Sequence, residues 1–132
     1  MGATMMAFPE RRDAQGTWAS VDCDPEFDSW SSLYGFIADV ANVAEIGPLK
    51  NRRGFPEDAG VEACEAYKDG EWYGATWYQL SELTAFDYAR VVFDHRKKVS
   101  LTVREFLGDG YFDSLDILVK ADVKRVIFFF SS

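Results

Sequence analysis

The sequence predicts an α+β domain: a mostly antiparallel sheet with an N-terminal hairpin and a buried C-terminal strand, and helices packed on one face. Three observations carry that reading. Two strand-like segments, ATMMAFPERR and TWASVDCD, are separated by Asp13-Ala14-Gln15-Gly16, a Gly-containing turn of hairpin length. Leu33, Phe36, Ile37 and Val40 recur at helical spacing. Lys124 to Phe130, KRVIFFF, is the β-branched and aromatic run of a buried strand. With 132 residues, 48% of them hydrophobic, the chain is long enough for one domain, residues 1–132, with its own core.

After the hairpin, Asp28 or Ser29 can cap the first helix, which runs to about Ala41, and Gly47-Pro48 breaks the chain. Pro56 can open a second helix from Glu57 to about Lys68, closed by Asp69-Gly70. The stretch GEWYGATWYQLSELTAFDYA, residues 70–89, then packs Trp72, Tyr73, Trp77, Tyr78, Phe86 and Tyr88 closely together. Within it Ala75 to Leu80 reads as a short strand, and Ser81 as the cap of a helix carrying Glu82, Leu83, Phe86 and Asp87. Trp77 and Phe86 are expected in the core, where large rings supply much of a small domain's buried area. Trp72 and Tyr73, beside the Asp69-Gly70 turn, are expected as exposed contact rings. Further on, Lys97 to Phe106 contains an alternating apolar stretch, Gly108-Asp109-Gly110 is a turn, and Asp113 can cap a helix with Leu115, Leu118 and Val119.

Composition narrows the function classes. Twenty-two acidic against 14 basic residues give a formal net charge of -8, which repels phosphate backbones and argues against direct nucleic-acid binding. No apolar run approaches the roughly 20 residues of a membrane span, and MGATMMAFPERRD lacks the features of a secretion signal. A cytoplasmic protein without membrane contact is therefore expected. Cys23 and Cys64 form neither a CxxC pair nor a disulfide framework and read as core or free thiols. Nucleotide-cradling glycine loops and nucleophile elbows are missing from the sequence. His95, the single His, has Asp94 and Asp87 nearby in sequence but reads as structural or solvent-facing. No catalytic residue, cofactor or metal ligand is assigned.

One constellation stands out. In VDCDPEFDS, Asp22, Asp24, Glu26 and Asp28 fall at every second position with no base between them. It is not an EF-hand loop, because Phe27 occupies the position of the sharp-turn Gly and Leu33 that of the bidentate Glu. In an extended chain such side chains share a face at roughly 6 to 7 Å, close to the spacing of phosphates along a nucleic-acid strand. Glu57, Asp58, Glu62 and Glu65, with Asp69 and Glu71, continue the acidity. Together with Trp72 and Tyr73, these acids form the expected partner-binding set. The plain alternative is a solvated loop and helix face.

The order MGATMM, TWASVD, LYGFIADVAN, RRGFPEDAG, ATWYQLSELTAFDY and DVKRVIFFF also resembles a family of small, largely uncharacterised phage and prophage proteins. Its members open Met-Gly-x-Asp-Ile-His and carry an Arg-Gly-Leu-Pro-x-Asp loop and a Trp-Leu-Thr-Leu-x-Glu-Leu segment. RGFPEDAG and the spacing of Trp77, Leu80, Glu82 and Leu83 are its most specific parts. The family's Asp and His in the opening motif fall on Thr4 and Met6, and its later His on Tyr73. These are poor ligands for zinc-like ions. The resemblance thus implies a phage-type origin and no inherited catalysis. The expected function is inhibition of a host nucleic-acid-directed defence complex, anti-CRISPR-like, by steric block or acidic mimicry of nucleic acid. The partner would be a host protein with a basic nucleic-acid-binding surface. A small metal-dependent enzyme acting on nucleotide or nucleic acid, and a phage structural accessory protein, are the alternatives.

Overall fold

The computed structural model describes residues 3–27 and 31–131. Strand β1 (Thr4–Arg12) and the short β2 (Trp18–Ser20) form the expected hairpin, with Arg12 opposite Trp18. Asp13 closes the turn, its Oδ1 accepting from the amides of Gln15 and Thr17. Helix α1 (Ser31–Ala38) buries Leu33, Phe36 and Ile37, and Val40 is buried just beyond it. Its expected caps, Asp28 and Ser29, lie outside the described residues.

The second helix begins four residues later than expected: α2 is Val61–Lys68, and Glu57 and Asp58 belong to the turn before it. Strand β3 (Tyr73–Gln79) leads into α3 (Leu80–Ala85). The cap of α3 is Gln79 rather than Ser81, in a reciprocal capping box with Glu82. A second hairpin follows, β4 (Val91–Asp94) with β5 (Val99–Thr102); only the second of these strands falls in a stretch that the sequence marked. Helix α4 (Val103–Leu107) is capped by Thr102 and Glu105. Gly108-Asp109-Gly110 is not a free turn. Gly108, at φ 85, ends α4 and opens α5 (Asp109–Lys120), so Asp113 lies inside that helix.

The last strand, β6 (Arg125–Ser131), sits between β1 and β3 in an antiparallel sheet of order β2-β1-β6-β3. Val126, Phe128 and Phe130 point into a core with α1, α3, α4 and α5; Ile127 and Phe129 point the other way, onto Ala63 of α2. Both faces of β6 are covered, which is why KRVIFFF carries no apolar/polar alternation. The α+β architecture with an antiparallel sheet is as expected, but the helices do not all lie on one face: α2 covers the second. Two aromatic-rich clusters on opposite sides are the physical reason, since a central strand apolar on both sides needs cover on both.

The faces are locked together by a buried charge. Arg125 Nε and Nη2 reach Glu10 Oε1 at 2.9 and 2.8 Å, and Nη1 donates to Asp58 Oδ1 at 2.8 Å. Its guanidinium lies 3.9 Å from the Trp18 ring centroid. Glu10 Oε2 accepts from the Gly60 amide at 2.8 Å, so both carboxylate oxygens are satisfied. Gly60 is required there, because a Cβ would fall 2.7 Å from Glu10 Oε2 and 2.9 Å from the Trp18 carbonyl oxygen.

Removing one partner of a buried pair strands the other, at a cost of about 3 to 5 kcal/mol. Arg125→Ala is therefore expected to lower unfolding stability by that amount in urea titration. Lys124→Ala, next to it but exposed, is expected to change it by no more than about 0.5 kcal/mol.

Candidate protein-binding surface

Beyond β2 the chain runs on along β1, the Val21 amide donating to the Pro9 carbonyl at 2.9 Å. Val21, Cys23, Pro25 and Phe27 turn inward, whereas Asp22, Asp24 and Glu26 are exposed. The alternation read from the sequence is thus present in the fold. Phe27 anchors it, its ring 5.8 Å from Phe128 and 6.2 Å from Tyr111. Asp28, the fourth acid of the row, lies outside the described residues. Burial, with the neighbouring charges of Asp22 and Asp24, pushes the Cys23 thiol upward and keeps it protonated. Cys23 and Cys64 are both free.

Helix α2 sets its small residues Ala63 and Ala66 against the sheet and leaves Glu62 and Glu65 exposed. The two acidic segments meet: Asp22 and Glu62 line one hollow of about 410 Å³ with Ser20 and Val21. Glu62 and Glu65 also border a broader hollow of about 590 Å³ with Ala66, Lys68 and Asp69. Glu57 is exposed in the turn before the helix.

Two expected contact residues have other roles, and a third, exposed as expected, stands apart from them. Asp58 is committed to the fold, since its carboxylate accepts from Arg125 and from Trp18 Nε1 at 3.1 Å. The Arg125 hydrogen bond holds its carboxyl below the usual range. Trp72 is half-buried rather than a free ring: it packs edge-on to Phe129 at 4.8 Å and donates from Nε1 to the Ala66 carbonyl at 2.9 Å, closing the end of α2. Tyr73 is 40% exposed, but its ring tilts against Phe130 on the first core face. Trp72 and Tyr73 therefore do not form one anchor.

The network around Arg125 was not legible in the sequence, where Glu10 and Arg125 look like polar strand flanks. A second clasp was half visible. Arg53 donates twice to Glu82, at 2.6 and 2.5 Å, and lies 4.7 Å from the Trp77 ring centroid. The Gly54 amide bonds the Ala75 carbonyl along the outer edge of β3. RGFPEDAG and the segment from Trp77 to Leu83 are thus two halves of one structural contact.

Elsewhere the chemistry is sparse. Asp94 is buried and its Oδ1 accepts from the amides of Arg96 and Lys97; Asp87 accepts from the amide of Ala89. Both are occupied by their own turns, and His95 is exposed. Thr4 and Met6 lie on β1 and Tyr73 on β3, with β6 between them; Met6 packs on the α2 side and Tyr73 against the other. Among the described residues no three His, Cys, Asp or Glu side chains converge where they could hold a metal ion, and no helix is long and apolar enough to cross a membrane. No family model matches the chain, and no curated protein or solved structure resembles it significantly.

Two predictions follow from this geometry. Trp72→Ala is expected to cost about 2 to 3 kcal/mol, somewhat less than the about 3 to 5 of a fully buried ring, measured by thermal or urea melts. Glu82, like Asp58, is held below the usual carboxylate range, here by Arg53. A carboxylate depressed in the folded state contributes stability above its unfolded value, near 4, and loses it as pH falls through the folded one. Stability should therefore drop as pH falls from about 5. An Asp58→Asn, Glu82→Gln double variant should be less stable at neutral pH and show a shallower acid decline.

Proposed function

We propose that the protein acts without catalysis, by occupying the basic nucleic-acid-binding surface of another protein. An inhibitor of a nucleic-acid-directed host defence complex, of the anti-CRISPR kind, working in the bacterial cytoplasm, is the form of this reading that the resemblance to phage proteins favours. The observation that carries it is the exposed row Asp22, Asp24 and Glu26, which meets Glu62 in a shared hollow, with Glu65 exposed one turn further along α2. Acids at every second position of an extended segment stand roughly 6 to 7 Å apart on one side. Lys and Arg placed to receive successive phosphates would meet them in the same order.

The magnitudes divide the work. Exposed ion pairs contribute about 0.2 to 1 kcal/mol each, so the row steers encounter and sets register more than it supplies affinity. Affinity needs a desolvated apolar contact. Trp72 is already used inside the fold, whereas Val61, 69% exposed beside Glu62, stands next to the acids and takes the anchoring place in this reading.

The test is affinity capture from bacterial lysate with mass spectrometry, followed by association rates with the captured protein at low and high salt. Replacing Asp22 and Asp24 by Asn, and Glu26, Glu62 and Glu65 by Gln, is expected to preserve the fold, slow association at low salt and flatten the salt dependence. Unchanged rates and an unchanged salt slope would rule out the acidic surface as the contact.

A further inference from the structure

We infer that the β4–β5 hairpin is a docking element for a second copy of this chain, its basic turn seating in the acidic hollow over α2 of the neighbour. Arg96, Lys97 and Lys98 are consecutive, exposed and, among the described residues, in none of the ion pairs. The turn that carries them is preformed. Asp94 Oδ1 accepts from the Arg96 and Lys97 amides at 2.9 and 3.1 Å, and the Lys98 amide donates to the Asp94 carbonyl at 2.7 Å. Little backbone freedom is left to lose on docking, which lowers the cost of association. Phe93 and Val91, 45% and 65% exposed on the outer side of β4, add apolar surface beside the charges.

The acceptor is an open, shallow acidic face of α2. Its hollow of about 590 Å³ carries Glu62, Glu65 and Asp69 against one base, Lys68, with Ala66 among its lining residues. The turn cannot reach this hollow within its own chain. The hairpin packs through Val92 and Leu101 on the first core face and α2 lies on the second, so the sheet stands between them. Layers about 10 Å apart put the two sites roughly 20 Å or more from each other. Attraction between them is largely screened at physiological salt, where the Debye length is about 8 Å. The same screening weakens the repulsion between two chains of net charge -8, while charges in direct contact keep most of their attraction. Turn to hollow is a head-to-tail contact, which closes into a ring or extends as a chain. The inference uses part of the surface in the proposed function but holds whether or not that partner exists.

Sedimentation velocity of the full chain alone, over a dilution series, tests it. The wild type is expected to gain weight-average mass with concentration. An Arg96→Glu, Lys97→Glu, Lys98→Glu variant and a Glu62→Lys, Glu65→Lys variant, each checked for folding by circular dichroism, should self-associate about tenfold more weakly or worse. Gln replacements at the same positions serve if either reversal disturbs the fold. Mixed in equal amounts, the two reversed variants should associate again, because native and swapped pairs both become complementary. A monomeric wild type, reversed variants that associate like wild type, or a mixture that stays monomeric would each overturn the inference. A monomeric wild type whose turn instead binds a single-stranded oligonucleotide would overturn it in favour of a nucleic-acid occupant.

Discussion

Arg125 is the constraint on which the rest of the structure depends. Its side chain is 4% exposed, and a guanidinium in that position is tolerated only if its donors and its charge are met. Meeting them brings together Glu10 from β1, Asp58 and Gly60 from the turn before α2, and the Trp18 face from β2. Three segments, β1, β2 and the turn before α2, are therefore fixed to the first residue of the central strand. The position of α2 follows, and with it the outward direction of Glu62 and Glu65. The acidic surface is tied to this ion network, since Asp58, although still exposed, spends its carboxylate on Arg125 and Trp18 and so holds the approach to the helix in place.

The sheet also divides the charges of the molecule. The acids of α2 lie over the second core, whereas the densest exposed bases, Arg96 to Lys98, sit on a hairpin attached to the first, the core on which the Val21–Phe27 segment also packs. A net charge of -8 conceals this polarity. The α2 acids and the hairpin bases are each free to act on a different neighbour, and neither neutralises the other across the thickness of the sheet. The aromatic stretch from Trp72 to Tyr88, by contrast, is mostly internal: Trp72 seals the end of α2, Tyr78 donates to the Ile37 carbonyl, and Tyr88 and Tyr111 share a hydrogen bond at 2.6 Å.

Local signals were the legible ones. The Asp13–Gly16 turn, the helical spacing of Leu33, Phe36 and Ile37, the aromatic run of β6 and the alternation of Asp22, Asp24 and Glu26 each depend on neighbouring residues and are found where the sequence places them, although α1 ends at Ala38, short of the expected Ala41, where Asp39 turns left-handed at φ 56. What failed depended on distant partners. Glu57 and Asp58 look like a helix start after Pro56, but Asp58 is drawn to Arg125, 67 residues away, and α2 starts only after Gly60. Trp72 looks like a loop ring until Phe129 is placed beneath it. Ser81 lost the capping role because Gln79 and Glu82 cap each other while Glu82 also holds Arg53. RGFPEDAG could be noticed as a motif, yet only the fold explains it, as one half of a clasp over β3 and the approach to the Arg125 network.

The claim that one buried network positions the acidic surface is tested most directly by native-state amide hydrogen exchange on a Glu10→Gln variant, which removes the charge and keeps the volume. Faster exchange concentrated in Trp18–Val21 and Cys64–Lys68, with α1 and the middle of β6 still protected, is the predicted result, because those outer segments are the ones the network ties down. Unchanged exchange in α2, or an equal loss of protection across the whole chain, would contradict it.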